Sequence, residues 1–169
     1  MWSLGKSFVP LFFNNKLGGK KIMLLLGTKN TATQDVVVDG LINLGQTYRK
    51  YCKKNNCGIT TFNFTGNGIT LNQSGIYHIT ATLVGSAPAA GVVTVQLFEN
   101  GVAVDGAISS ETITTATTEL RTFVIDYYVL VDNACLLGRA TTVADSITLV
   151  NTGVAATFTS VIVNVDKVV

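Results

Sequence analysis

A chain of 169 residues has room for one domain with a proper core and too little for two. Charged residues make up 13% and apolar residues 47%, weighted towards branched side chains that suit a pleated strand, which excludes a disordered polymer and argues against a helical one. The formal charge of +2 is misleading: Lys6, Lys16, Lys20 and Lys21 lie in the first 22 residues, so the remaining eight cations face ten acids and the body is not a nucleic-acid binder by charge.

Residues 1–26 read as an N-terminal tail and residues 27–169 as a single domain. No apolar run approaches the roughly 18 residues of a membrane span. The apolar stretch Phe8 to Phe13 contains Pro10 and runs into Asn and Lys rather than a small-residue cleavage site, unlike a secretory signal. Gly18-Gly19 back-translates to a ribosome-binding sequence followed by a short spacer and Met23. That spacing implies a natural start at Met23, with residues 1–22 as leader; the competing reading is an arm that docks on a partner.

From Gly27 onward, short alternating runs are punctuated by Gly, Asn, Asp and Ser, the pattern of an antiparallel β protein. Tyr48, Arg49, Lys50, Tyr51, Lys53 and Lys54 form the one basic cluster of the body. Such a run usually forms a solvated loop rim, and its other reading is a surface for anionic glycan or a second protein. Cys52 and Cys57 bracket a short loop, and Cys135 lies in another; reduced thiols, a Cys52–Cys57 disulfide and a metal site completed by a further ligand all remain open. Gly66-Asn67-Gly68 marks a turn, since no phosphate-loop Lys-Ser/Thr follows. The sequons at Asn63 and Asn72 matter only in a secreted chain.

Gly75 to Val84 is the clearest strand, with Tyr77, Ile79, Ala81 and Leu83 on one face and His78, Thr80 and Thr82 on the other. Gly91 to Phe98 repeats the pattern through Val93, Val95 and Leu97. Asn100-Gly101 then turns the chain back into Val102 to Val104 as a tight hairpin. Phe123 to Val131 is apolar on both faces except at Asp126. Ser146 to Asn151 and Phe158 to Val165 are expected to pair across Thr152-Gly153. About eight strands with no helix predict an all-β, antiparallel two-sheet sandwich or jelly roll, between which the period alone does not choose.

Apolar character on both faces of an antiparallel strand implies a second burial surface, which in a sandwich is usually a subunit interface. Tyr77, Tyr128, Leu130, Phe158, Val161, Ile162 and Val163 are the candidates for it. Catalytic chemistry finds little support. His78, the sole histidine, stands mid-strand without an evident acid–base partner, and no nucleophile motif occupies a strand-to-helix turn, so no enzyme activity or cofactor is expected, and no metal apart from the open reading at the cysteines.

Gly68-Ile69-Thr70-Leu71, Gly75-Ile76-Tyr77-His78-Ile79 and Val93 to Gly101, followed by Asp145 to Asn151 and Thr159 to Val165, resemble the jelly rolls of tumour necrosis factor-like and complement globular-head proteins. In bacteria the same pattern resembles the heads of collagen-like spore-surface glycoproteins, although the Gly-X-Y repeat is absent. Thr28 to Val36 and Leu44 to Lys50 are similar to small proteins encoded beside capsid genes in phages of Gram-positive bacteria. The resemblance implies a homotrimer on a virion surface, assembled in the host cytoplasm as a capsid decoration or head fibre and contacting phage capsid proteins. The alternatives are a carbohydrate- or receptor-binding module of a host-attachment apparatus, or a spore-surface head. Neither a nucleic acid nor a membrane is expected as partner.

Overall fold

The computed structural model describes residues 23–51, 62–131 and 144–168. They form twelve strands and no helix: β1 (Met23–Asn30), β2 (Gln34–Val36), β3 (Gly40–Leu41), β4 (Gln46–Lys50), β5 (Phe62–Phe64), β6 (Gly68–Leu71), β7 (Gly75–Ser86), β8 (Gly91–Glu99), β9 (Val102–Ile113), β10 (Arg121–Val131), β11 (Asp145–Asn151) and β12 (Ala156–Lys167). All pairings are antiparallel. One sheet runs β10-β7-β12-β1-β4 with β2 on β12; the other runs β5-β6-β11-β8-β9 with β3 on β11.

The inward rows of the two sheets make one core. Tyr77, Ile79, Ala81 and Leu83 of β7 are all fully buried, as their alternation predicts, and they face Val93, Val95 and Leu97 of β8 and Ile147 and Leu149 of β11. Phe123 and Phe158 meet edge to face at 5.9 Å, which favours the positive ring edge against the negative ring face. The hairpin between β8 and β9 turns where expected. Asn100 and Gly101 take φ of 53° and 79°, and the Asn100 side chain donates to Asp145 at 2.8 Å while accepting from the Ser146 N–H at 2.9 Å.

Three sequence expectations change. β11 and β12 do not pair with each other: β11 lies between β6 and β8 in one sheet, and β12 between β7 and β1 in the other. Thr152-Gly153 is therefore a crossing between layers. The Thr152 and Val154 amides donate to the Thr94 and Val92 carbonyls, and a Cβ at Gly153 would stand 2.4 Å from the Val92 oxygen. Glycine is required there for close backbone approach, which in sequence looks the same as a turn signal.

The second change concerns β12. Its register slips between Phe158 and Ser160, so one extra residue inverts the side-chain parity, and Phe158 and Val161 both point inward although their spacing is odd. Third, β1 starts at Met23 and occupies an interior position of its sheet, with Leu26 fully buried, so regular structure begins four residues before the expected boundary at Gly27.

Candidate functional site

The outer face of the β10-β7-β12-β1-β4 sheet carries the concentration of unusual side chains. On β10 the inward row of Phe123, Ile125, Val129 and Val131 is buried, while Val124, Tyr128 and Leu130 stand outward at 56%, 57% and 63% exposure. This strand is apolar on both faces, as its sequence predicts, and its outward row lies against solvent. His78 of β7 is the cross-strand partner of Tyr128; the rings stack at 4.5 Å with 17° between planes, and His78 Nε2 lies 2.7 Å from Asp126 Oδ1. Asp166 of β12 is the neighbour of His78 on its other side. The imidazole is thus held by a carboxylate and a stacked ring on an open sheet face.

At the other end of the same sheet, a bulge shapes β4. Gly27 pairs with Arg49 and Thr28 with Thr47, so Tyr48 is the extra residue. Gly27 and Lys29 alternate outward from the buried Leu26 and Thr28, and the register brings Arg49 and Gln46 onto their face. Tyr48 lies against Gly27, whose hypothetical Cβ would meet the ring carbons at 2.6 and 2.8 Å, and its hydroxyl donates to Asn164 Oδ1 at 2.5 Å. Lys50 falls on the opposite face, its ammonium 5.8 Å from the Phe62 ring centroid.

The sequence candidates therefore separate. Tyr128 and Leu130 lie on the outer face, and Ile162 is half-buried on the same face in the cross-strand row of Val124. Tyr77, Phe158, Val161 and Val163 belong to the core at 0–2% exposure and offer nothing to a neighbouring chain. The parity inversion in β12 explains why Phe158 and Val161 read as lying on opposite faces. Of the basic cluster, Tyr48, Arg49, Lys50 and Tyr51 are placed and exposed, whereas Lys53, Lys54 and all three cysteines, Cys52, Cys57 and Cys135, lie outside the described residues. Alternation places Val124 on the outer face with Tyr128 and Leu130, although it is not among the interface candidates; Gly27, Lys29 and Asn164 were missed, being joined to Tyr48 only by long-range pairing.

Burial raises the Tyr77 phenol to about 12, and its hydroxyl donates to the Gln73 carbonyl. Burial also lowers Lys167, whose ammonium donates to the Ser74 carbonyl at 2.7 Å and lies 5.6 Å from the Tyr77 ring centroid. Both groups anchor the sheet end rather than line a cleft. No group of three or more His, Cys, Asp or Glu side chains with metal-binding geometry occurs among the described residues.

No protein-family model matches the chain, and no curated protein is detectably related in sequence. Solved structures do match. A tumour necrosis factor, Eiger from S. frugiperda, superposes with a TM-score of 0.56 over 87% of this chain and 94% of its own at 9% identity. Murine APRIL gives 0.55 over 84% and 96% at 10% identity, and the globular domain of the zebrafish complement 1qA protein 0.51 over 85% and 95% at 7%. At these identities the likeness concerns the fold, and it establishes the chain as an antiparallel two-sheet jelly roll of the tumour necrosis factor-like kind.

Proposed function

We propose that the chain is a non-enzymatic structural module that forms a homotrimer through the β10-β7 half of its outer sheet face and decorates a phage head, as a capsid-surface protein or head fibre. The observation that carries the self-association is the outward row Val124, Tyr128 and Leu130. Three large apolar side chains project from one strand whose inner row is already buried, beside Ile76 and the stacked His78. Covering them would remove apolar surface from water, the usual driving force of a subunit interface.

The threefold state rests on the outward apolar row together with the resemblance to tumour necrosis factor-like and complement globular-head jelly rolls, and the virion location on the resemblance to capsid-adjacent proteins. The non-enzyme reading is supported by the position of His78, the sole histidine, on an open sheet face rather than in a cleft. Sedimentation equilibrium at micromolar concentration tests the first part, and a monomer there removes it. Immunogold labelling of particles from the natural source tests the second; label confined to free protein would reject the virion role.

A further inference from the structure

The bulged end of the sheet has the construction of a binding platform. Tyr48 presents one ring face to the β1 backbone at Gly27, where no side chain fits beneath it, and is fixed in rotation by its hydrogen bond to Asn164. It is nevertheless 55% exposed, so the other ring face is open to solvent. A rigid aromatic with one free face binds at little cost in side-chain entropy. Cations flank it: Lys29 on β1 and Arg49 on β4 share its side of the sheet, and among the described residues no hydrogen bond or ion pair holds either.

Beside the platform an open hollow of ≈ 430 Å³ is lined by Lys29, Asn30, Thr31, Asn43 and Gln46 together with Ala32 and Gly45. Its wall is set by its own hydrogen bonds. Asn30 Nδ2 donates to the Asn43 carbonyl at 3.1 Å, the Gly45 N–H to Asn43 Oδ1 at 2.7 Å, and Gln34 both donates to and accepts from the Asn43 backbone at 2.9 Å. Gly45, at φ 78°, packs where a Cβ would stand 2.3 Å from the Lys29 carbonyl, which closes the wall.

We infer that Tyr48, Arg49, Lys29 and the adjoining hollow form a binding site for an acidic saccharide, one sugar ring stacking on Tyr48 and its carboxylate or phosphate lying between the two cations. The apolar C–H face of a pyranose complements the negative face of an aromatic ring, and its hydroxyls match the amide and hydroxyl groups of Gln46 and Thr31. Arg49 supplies a planar fork suited to an oxyanion, and Lys29 a mobile point charge. Single-stranded nucleic acid uses similar parts, but it tracks a continuous basic groove, whereas the body of this chain carries more acids than cations. The site lies four strand spacings from β10, about 19 Å, and does not depend on how copies of the chain associate.

Calorimetric titration of the full chain with tri-galacturonate, neutral galactotriose and oligo-dT tests the assignment, with sedimentation velocity on the same samples. Tri-galacturonate is expected to bind about 10-fold or more tightly than galactotriose. Tyr48→Ala and Arg49→Gln should each weaken it about 10-fold with unchanged sedimentation. Gly27→Ala, which lifts the ring, should weaken binding while leaving the cations in place. The inference is overturned if tri-galacturonate shows no binding, if its affinity is indifferent to Tyr48→Ala, or if oligo-dT binds more tightly with the same Tyr48 dependence.

Discussion

Val129 and Leu130 are neighbours in β10, yet replacing each by Asp should produce opposite outcomes. Val129 is 1% exposed and points between the sheets. Val129→Asp loses the burial of a whole valine, about 1.5–3 kcal/mol, and places a carboxyl in an apolar layer at a cost of several more. Against a typical total of roughly 5–15 kcal/mol, that sum removes most of the stability. Leu130 is 63% exposed. The covered third of its surface is worth only about 0.5–1 kcal/mol to the single chain, so Leu130→Asp should fold with a nearly unchanged urea midpoint. In the proposed trimer the uncovered part is worth about 1–2 kcal/mol per copy, hence roughly 3–6 over three copies, which weakens assembly about 10²- to 10⁴-fold. Far-UV circular dichroism in urea reads the first effect, and sedimentation equilibrium the second. If Leu130→Asp associates as tightly as the parent, this face is not the interface; if Val129→Asp keeps its urea midpoint, the inward row is misassigned.

Glu119 accepts hydrogen bonds from the Thr114 and Thr115 amides, the Thr114 hydroxyl and the Arg121 guanidinium, and the backbone bonds lead in lowering its carboxyl to about 2. A depressed carboxyl stabilises the fold above its unfolded value and loses that effect as pH falls towards 2, so Glu119→Gln should flatten stability between about pH 4.5 and 2 in an acid titration. The Tyr77 phenol, raised by burial to about 12, acts in the other direction: its contribution is complete below about pH 10 and disappears as pH rises through 12. Ultraviolet titration should show one late-ionising tyrosine that Tyr77→Phe removes. Asn151 is fully buried, and its amide nitrogen donates to the carbonyls of Val36, Val37 and Val154. Asn151→Ala strands these acceptors and should lower unfolding free energy by about 2–3 kcal/mol, with faster amide exchange at the Asp39 N–H that bonds to its backbone.

Local pattern carried the sequence reading as far as local physics decides structure. The alternation of β7 and the Asn-Gly turn before β9 were legible because a two-residue period and a positive φ leave direct marks in composition. The partner of β11 was not, because Gly153 serves a close layer crossing and its residue type does not distinguish that from a hairpin. β12 failed for a different reason: a bulge reverses the faces of everything beyond it, and neither Thr159 nor Ser160 announces the slip. The Tyr48 platform shows the same limit. Its exposed aromatic and Arg49 were visible in sequence, whereas Lys29, the glycine beneath the ring and the Asn164 oxygen that fixes it, 116 residues away, become its neighbours only after β1 has paired with both β4 and β12.

Cross-strand rows limit how far the proposed interface extends. One row runs Val124, Thr82, Ile162, Lys29 and Gln46; the next runs Asp126, Thr80, Asn164, Gly27 and Arg49. Each passes from the β10 end to a cation at the β1-β4 end. A neighbour covering the whole face would desolvate Lys29 and Arg49, which no described side chain neutralises, at a cost of several kcal/mol per ion. The centres of stable interfaces are depleted of such charges, so the contact should end near β12 and leave the Tyr48 platform open. Lys29→Ala and Arg49→Ala together are accordingly expected to leave the association constant within about 2-fold of the parent. A loss of 10-fold or more in sedimentation equilibrium would place the cations inside the contact and extend the interface across the sheet.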